Sequence, residues 1–160
     1  MTATTNLPRR SADEQVRLES VLRDMFEHRI CFNEVLGFHV ESLDPGAAAI
    51  SFAMRPDLVG HYLHGRLHGG VISTALDTAG GFVVTVAIGE KYASESAAQV
   101  AHRFGRVGTI DLRVDYHAAA MPGDLTIRGK VVRMGGQFST AEAQVFDAQA
   151  VDRQHLFGRV

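Results

Sequence analysis

Leu67-His68-Gly69-Gly70-Val71-Ile72-Ser73-Thr74-Ala75-Leu76-Asp77-Thr78-Ala79 is the stretch that decides how this chain is read. A His-Gly-Gly tripeptide opens an apolar run, and from Val71 to Gly89 Asp77 is the only charged residue. A helix that is apolar on every side belongs inside something. The run therefore predicts a long helix from about Gly70 to Ile88, buried at the centre of a soluble domain. Its length would span a bilayer, but Ser73, Thr74, Gly80, Gly81 and the internal acid argue against that. The glycines at the helix start let another molecule approach the backbone without a Cβ in the way. The first amides of a helix are unpaired and carry its positive dipole end. That geometry suits a carbonyl oxygen that becomes an oxyanion. Asp77, two turns further in, is expected among apolar neighbours, where desolvation favours a basic carboxylate.

Outward from this run, residues 1–10 read as a tail and 11–160 as one domain. Ser11 with Glu14 forms a candidate capping box, and Val16, Leu18, Val21, Leu22, Met25 and Phe26 mark a helical stripe. A helix is expected from about Ala12 to His28. Leu36, Phe38 and Val40, then Ala48, Ile50, Phe52 and Met54, alternate about a Pro45-Gly46 turn and predict a hairpin. Residues 57–67 are expected as a loop, and 90–104 as polar and irregular. The clearest strand pattern is Gly108 to His117, with Ile110, Leu112, Val114 and Tyr116 on the buried face and Thr109, Asp111, Arg113, Asp115 and His117 on the wetter one. After a Pro122-Gly123 turn, Leu125, Ile127, Gly129 and Val131 continue the apolar face. Gly135-Gly136 turns again, Ser139 to Asp147 makes a further strand, and Leu156 to Val160 a short last one. One sheet wrapped around one apolar helix is the economical packing.

Composition narrows the function. The 160 residues are 46% apolar and 21% charged, with a formal net charge of −2. That is an ordinary globular balance, and it lacks the basic field that nucleic acid demands. The single cysteine, Cys31, excludes an internal disulfide and fits the cytoplasm; it reads as a small apolar filler. The opening MTATTNLPRRSADEQV has no apolar core of a secretory signal.

The spacing of His68-Gly69-Gly70 and Asp77, the later strand Thr109-Ile110-Asp111-Leu112-Arg113-Val114-Asp115-Tyr116 and the Pro122-Gly123 turn together resemble a known family. It is the hotdog-fold acyl-CoA thioesterases of the phenylacetate-degradation and thioesterase-superfamily-member-2 type, within the 4-hydroxybenzoyl-CoA thioesterase superfamily. The resemblance covers about residues 36–147. It implies an α+β hotdog fold, an antiparallel sheet wrapped around a long central helix, paired as a homodimer or a dimer-of-dimers tetramer with active sites at the dimer interface. It implies that the Gly70 amide polarises a thioester carbonyl while Gly69 allows close approach. Asp77 of the other protomer would act as general base or nucleophile, and Thr109 would orient the water. No metal or organic cofactor is implied. Relatives carry an asparagine six or seven residues before His-Gly-Gly. Here Tyr62 and His61 stand there, both able to hydrogen-bond and both candidate substrate contacts.

The other candidates follow from side-chain chemistry. His68 is expected to hold the Gly-Gly backbone in place rather than to move protons. Arg103 and Arg106, and less so Arg113, suit the phosphates of coenzyme A. His61, His64 and His68 have too loose a spacing for a zinc site. Gly80-Gly81 cost about 1 kcal/mol each in helix propensity. Close helix–sheet packing is their first explanation, room for an acyl chain or ring the second. The function expected is hydrolysis of an acyl-CoA thioester, with a non-catalytic acyl-CoA or aromatic-ligand binder as the alternative on the same fold.

Overall fold

In the computed structural model the described residues are 9–119, 123–147 and 156–159. The expected tail up to residue 8, Pro122 of the expected turn and Val160 lie outside them. The central helix α3 runs Gly69–Lys91 and extends the expected helix by a turn at its far end. Ala75, Leu76 and Phe82 on it are fully buried, and burying a large apolar side chain such as Leu76 or Phe82 stabilises the fold by about 1.5–3 kcal/mol.

The helix is covered by one antiparallel sheet. Its strands are β1 (His39–Ser42), β2 (Ala49–Phe52), β5 (Asp115–Tyr116), β6 (Leu125–Met134), β7 (Ser139–Asp147) and β8 (Leu156–Arg159), in the order β1-β2-β6-β7-β8-β5. A separate two-stranded ribbon, β3 (Val59–His61) with β4 (Arg66–Leu67), stands just before α3 in a segment expected to be a loop. Ile50, Phe52, Leu125, Ile127, Ala143 and Val145 form the sheet's share of the core. This is the hotdog arrangement: a mixed helix-and-sheet fold with a long helix against a curved antiparallel sheet.

The N-terminal helix α1 spans Ala12–Asp24, and the Ser11 side chain accepts from the Glu14 amide at 3.3 Å. It continues as a π-turn over Met25–Arg29, which seats Phe26 edge-on against Phe82 with ring centroids 4.9 Å apart. A short α2 (Cys31–Leu36) follows, where a strand start was expected; Gly37 ends it at φ 72°. Cys31 is exposed at the start of α2, so it is not the expected core filler.

Two other expectations are corrected. Residues 97–104 are not irregular but form α4 (Ala97–Phe104), started by a complete capping box of Ser96 and Gln99. Ala97, Val100 and Phe104 bury themselves against Leu18 and Leu22 of α1, and Glu14 ties the two helices by accepting from the Ala97 amide at 2.8 Å. The second correction is the strand expected over Gly108–His117. It is paired only at Asp115 and Tyr116, which meet Arg159 and Gly158 of β8. Residues 108–114 lie at the sheet's outer edge, where the described chain offers no ladder partner, and alternation alone does not make a strand without one. Ile110, expected on the buried face, is 75% exposed.

Helix and sheet approach closely at Gly129 of β6. A Cβ there would lie 2.7 Å from Cγ1 of Val83 and 3.2 Å from the Glu142 carbonyl. Val83 is buried and β-branched, with little freedom to yield. Gly129→Ala should therefore destabilise the fold by about 1–3 kcal/mol, the usual range for overpacking. A urea titration checks this: the midpoint should fall at constant slope, and an unchanged midpoint would show that the helix does not depend on this contact.

Candidate active site

The site is built from both ends of one helix turn sequence. His68 is the N-cap of α3, in extended backbone at φ −69° and ψ 134°. Its Nδ1 accepts from the Gly70 N–H at 2.8 Å, and its carbonyl accepts from the Val71 N–H at 2.9 Å. The Gly70 amide, the one expected to face a thioester, is thus already engaged by the His68 ring. No acceptor for the Gly69 amide is found among the described residues. Of the two glycines, Gly70 is the one that steric contact requires. A Cβ on Gly70 would lie 2.9 Å from His68 Nδ1, and one on Gly69 would touch the Tyr116 ring at 3.5 Å.

Asp77 lies two turns along α3. It is half-buried at the wall of a groove rather than enclosed in the core. Thr109 Oγ1 donates to its Oδ1 at 2.6 Å. The hydroxyl comes from the edge segment 108–114, so a residue expected on the wet strand face reaches the helix. One carboxylate oxygen is thereby oriented and the other remains for a reactant. Behind the pair, the buried amide of Asn33 donates to the Phe26 carbonyl at 3.0 Å and accepts from Thr78 at 3.5 Å.

The groove holds about 1500 Å³. It runs from Asp77 and Thr109 along Gly80, Gly81 and Val84 towards Ile88, with Phe138 across from them. A methyl at Gly80 or Gly81 would meet nothing within 4 Å. The first explanation given to these glycines, close helix–sheet packing, is therefore wrong for this chain: they face open space.

The remaining candidates are scattered. His61 and Tyr62 sit on the β3–β4 ribbon and do not line the groove. Tyr62 is 85% exposed, and His61 stacks on His64 at 4.8 Å between ring centroids. Among the described residues, no group of three or more His, Cys, Asp or Glu is gathered as for a metal ion. Arg103 and Arg106 both line the far end of the groove. Arg103 is bound to Glu95 at 2.9 Å and lies 3.7 Å above the Tyr92 ring. That hydrogen bond holds the Glu95 carboxyl below its ordinary range. Arg106 is exposed and free of any such partner among the described residues. Arg113 bonds Asp115 at 3.2 Å.

Three residues of the site were missed from sequence. Tyr116 donates to the Gly69 carbonyl at 3.1 Å and bonds Ser73. It had been given to the buried strand face, and nothing in the alternation distinguishes it. Gly60 of β3 is the third: a Cβ there would lie 2.6 Å from His68 Cα. A glycine inside a short strand pattern is itself the signal of close backbone approach.

Comparison with known proteins gives the family. Residues 64–152 match the model of the thioesterase superfamily. The chain is 33% identical over 122 residues to the medium/long-chain acyl-CoA thioesterase YigI of Salmonella typhimurium, covering 76% of this chain and 79% of that protein. It is 32% identical over 126 residues to YigI of Escherichia coli K12, covering 79% and 81%. A crystal structure of a Shewanella oneidensis protein related to the thioesterase superfamily superposes with a TM-score of 0.82 at 25% identity, covering 94% of this chain and 95% of that one. From the matched residues, the long helix and its His-Gly-Gly start, the chain belongs to the thioesterase superfamily.

Proposed function

We propose that this protein is a cytoplasmic acyl-CoA thioesterase, hydrolysing medium- to long-chain acyl-CoA to the carboxylic acid and free coenzyme A. The observation that carries the reading is the 2.6 Å Thr109–Asp77 hydrogen bond at the head of an open groove. It joins a carboxylate, an orienting hydroxyl and a channel of acyl dimensions. From Asp77 to Ile88 the helix rises about 16 Å at 1.5 Å per residue, the length of an extended medium-to-long acyl chain. The YigI relatives carry medium- and long-chain acyl-CoA in their names.

In this mechanism Asp77 acts as general base. Thr109 holds Oδ1, and the other carboxylate oxygen takes a proton from water as its oxygen attacks the thioester carbon. The Gly69 N–H, which unlike the Gly70 N–H held by His68 has no acceptor among the described residues, stabilises the oxyanion. The C–S bond then breaks, and the thiolate of coenzyme A leaves and is protonated by the Asp77 carboxyl. Arg106 is the available guanidinium for the coenzyme A phosphates.

One chain does not supply the whole site. Gly69 and Asp77 are eight residues apart on α3, about 12 Å along the axis. One thioester carbon cannot touch both. A homodimer in which Asp77 of one protomer meets the helix start of its partner satisfies both contacts. The unpaired edge segment 108–114, with Ile110 exposed, supports the sheet edge as the dimer seam.

The deciding assay is thiol release over short, medium, long and aromatic acyl-CoAs. The wild type should turn over the longer chains, and Asp77→Asn should lose at least about a hundredfold in kcat, within the range for a removed base. Tight binding by calorimetry without turnover on any substrate would favour the non-catalytic binder instead. Single turnover in ¹⁸O-water separates the roles of Asp77: a base delivers label to the acid directly, whereas a nucleophile first delivers its own oxygen.

Groove length makes a second prediction. Gly81→Leu should fold and assemble normally, since it fills open space on a helix. It should depress kcat/KM for the longest chains at least tenfold while short-chain turnover stays within about threefold, a filled subsite being worth about 1.4 kcal/mol per tenfold. A uniform loss over all chains, or an altered elution volume on gel filtration, would show that the glycines face a protomer rather than an acyl chain.

A further inference from the structure

We infer that Tyr116, with Ser73, is a positioning residue that locks the catalytic helix start by holding one peptide unit from its carbonyl end. This rests on the thioesterase reading above. The Gly69 carbonyl and the Gly70 N–H belong to the same planar peptide, pointing in opposite directions. Each end is held by a side chain from a different place. Tyr116 Oη and Ser73 Oγ each lie 3.1 Å from the Gly69 oxygen and are in contact with each other, so their two protons are shared between that carbonyl and the bond joining the hydroxyls. At the other end, His68 Nδ1 receives the Gly70 N–H at 2.8 Å.

The need for such a clamp follows from the glycines. Gly-Gly admits close approach of a ligand, but it has the widest backbone freedom of any dipeptide. An oxyanion donor is effective when it is aimed before the charge develops. The ordinary helix bonds leave the first turn under-restrained at its outer end. The clamp supplies the missing restraint. Its Tyr116 arm comes from β5, an edge strand distant in sequence, and the ring also stacks against Gly69 at 3.5 Å from where a Cβ would stand. Donation into the Gly69 carbonyl further polarises the peptide unit, in the sense that chained hydrogen bonds strengthen one another.

Tyr116→Phe is the test, because it keeps the ring against Gly69 and removes only the hydroxyl. The assay is steady-state thiol release on the best acyl-CoA of the wild type. A fall in kcat of about tenfold with KM within twofold is expected, since a turn that is mis-aimed in the transition state still binds the ground state. Ser73→Ala should give a smaller fall in the same direction. Unchanged kcat, or a matching rise in KM with kcat preserved, would overturn the proposal. A second readout needs no activity. With ¹⁵N-glycine labelling, the Gly69 and Gly70 amides of Tyr116→Phe should shift and exchange with solvent at least several-fold faster, while Gly80, Gly81 and Gly129 stay put. If those two amides are undisturbed, Tyr116 does not hold the turn. If wild type hydrolyses no acyl-CoA while the amides respond as expected, the clamp stands and the thioesterase reading fails.

Discussion

A nearly uncharged helix of 23 residues must be covered, and the sheet can cover only one side of it. On that side the contact is as close as backbone allows, with Gly129 making room for Val83. Phe82 meets Phe26 from the N-terminal π-turn, and Arg10 donates to the Gly89 and Tyr92 carbonyls where the helix ends. Everything else is arranged around the uncovered side. Asp77, Gly80, Gly81 and Val84 face it, and the segment 108–112, α4 and the β6–β7 turn stand around it as walls. An exposed apolar helix face would ordinarily be a liability; here it is the lining of the groove.

The helix start and Asp77 are held by different means. At the start the restraint is hydrogen bonding, with one peptide gripped by His68, Ser73 and Tyr116. Gly60 is pressed against His68 so closely that no side chain fits between them. At Asp77 it is a single hydroxyl delivered by a chain segment with no ladder of its own. On the proposed reading, the Asp77 carboxylate thus takes its orientation from the sheet edge assigned above to a second copy of the chain.

Much of this was legible in the residues. The apolar run with one acid specified the central helix, and alternation at Leu125, Ile127 and Ser139–Asp147 specified the long strands. The His-Gly-Gly and Asp77 spacing specified the family. What was not legible came from partners distant in sequence. The pattern over Gly108–His117 is a good strand pattern, but a strand also needs a neighbour, and among the described residues only Asp115 and Tyr116 find one. Tyr116 was misread for the same reason: its parity assigned it to a buried face, whereas its hydroxyl is used at the helix start. The helix α4 lies in a stretch whose polarity suggests an irregular segment, yet Ser96 and Gln99 stand at the spacing of a capping box, a signal that could have marked its start. Gly80 and Gly81 were ambiguous by nature, since a sequence does not say whether a missing side chain leaves room for the protein's own sheet or for something else.

Those two glycines set a limit on thermal adaptation. Replacing a helical glycine that touches nothing is among the simplest ways to stiffen a protein, worth roughly half to one kcal/mol at each site. Along α3 that route is open on steric grounds, and on the proposed function it is closed, because every atom added there is subtracted from the groove. A lineage pressed towards higher temperature would have to find its rigidity elsewhere, in the α1–α4 contact or the loops. The middle of its most buried helix would remain, by the demands of its ligand, softer than the sequence around it.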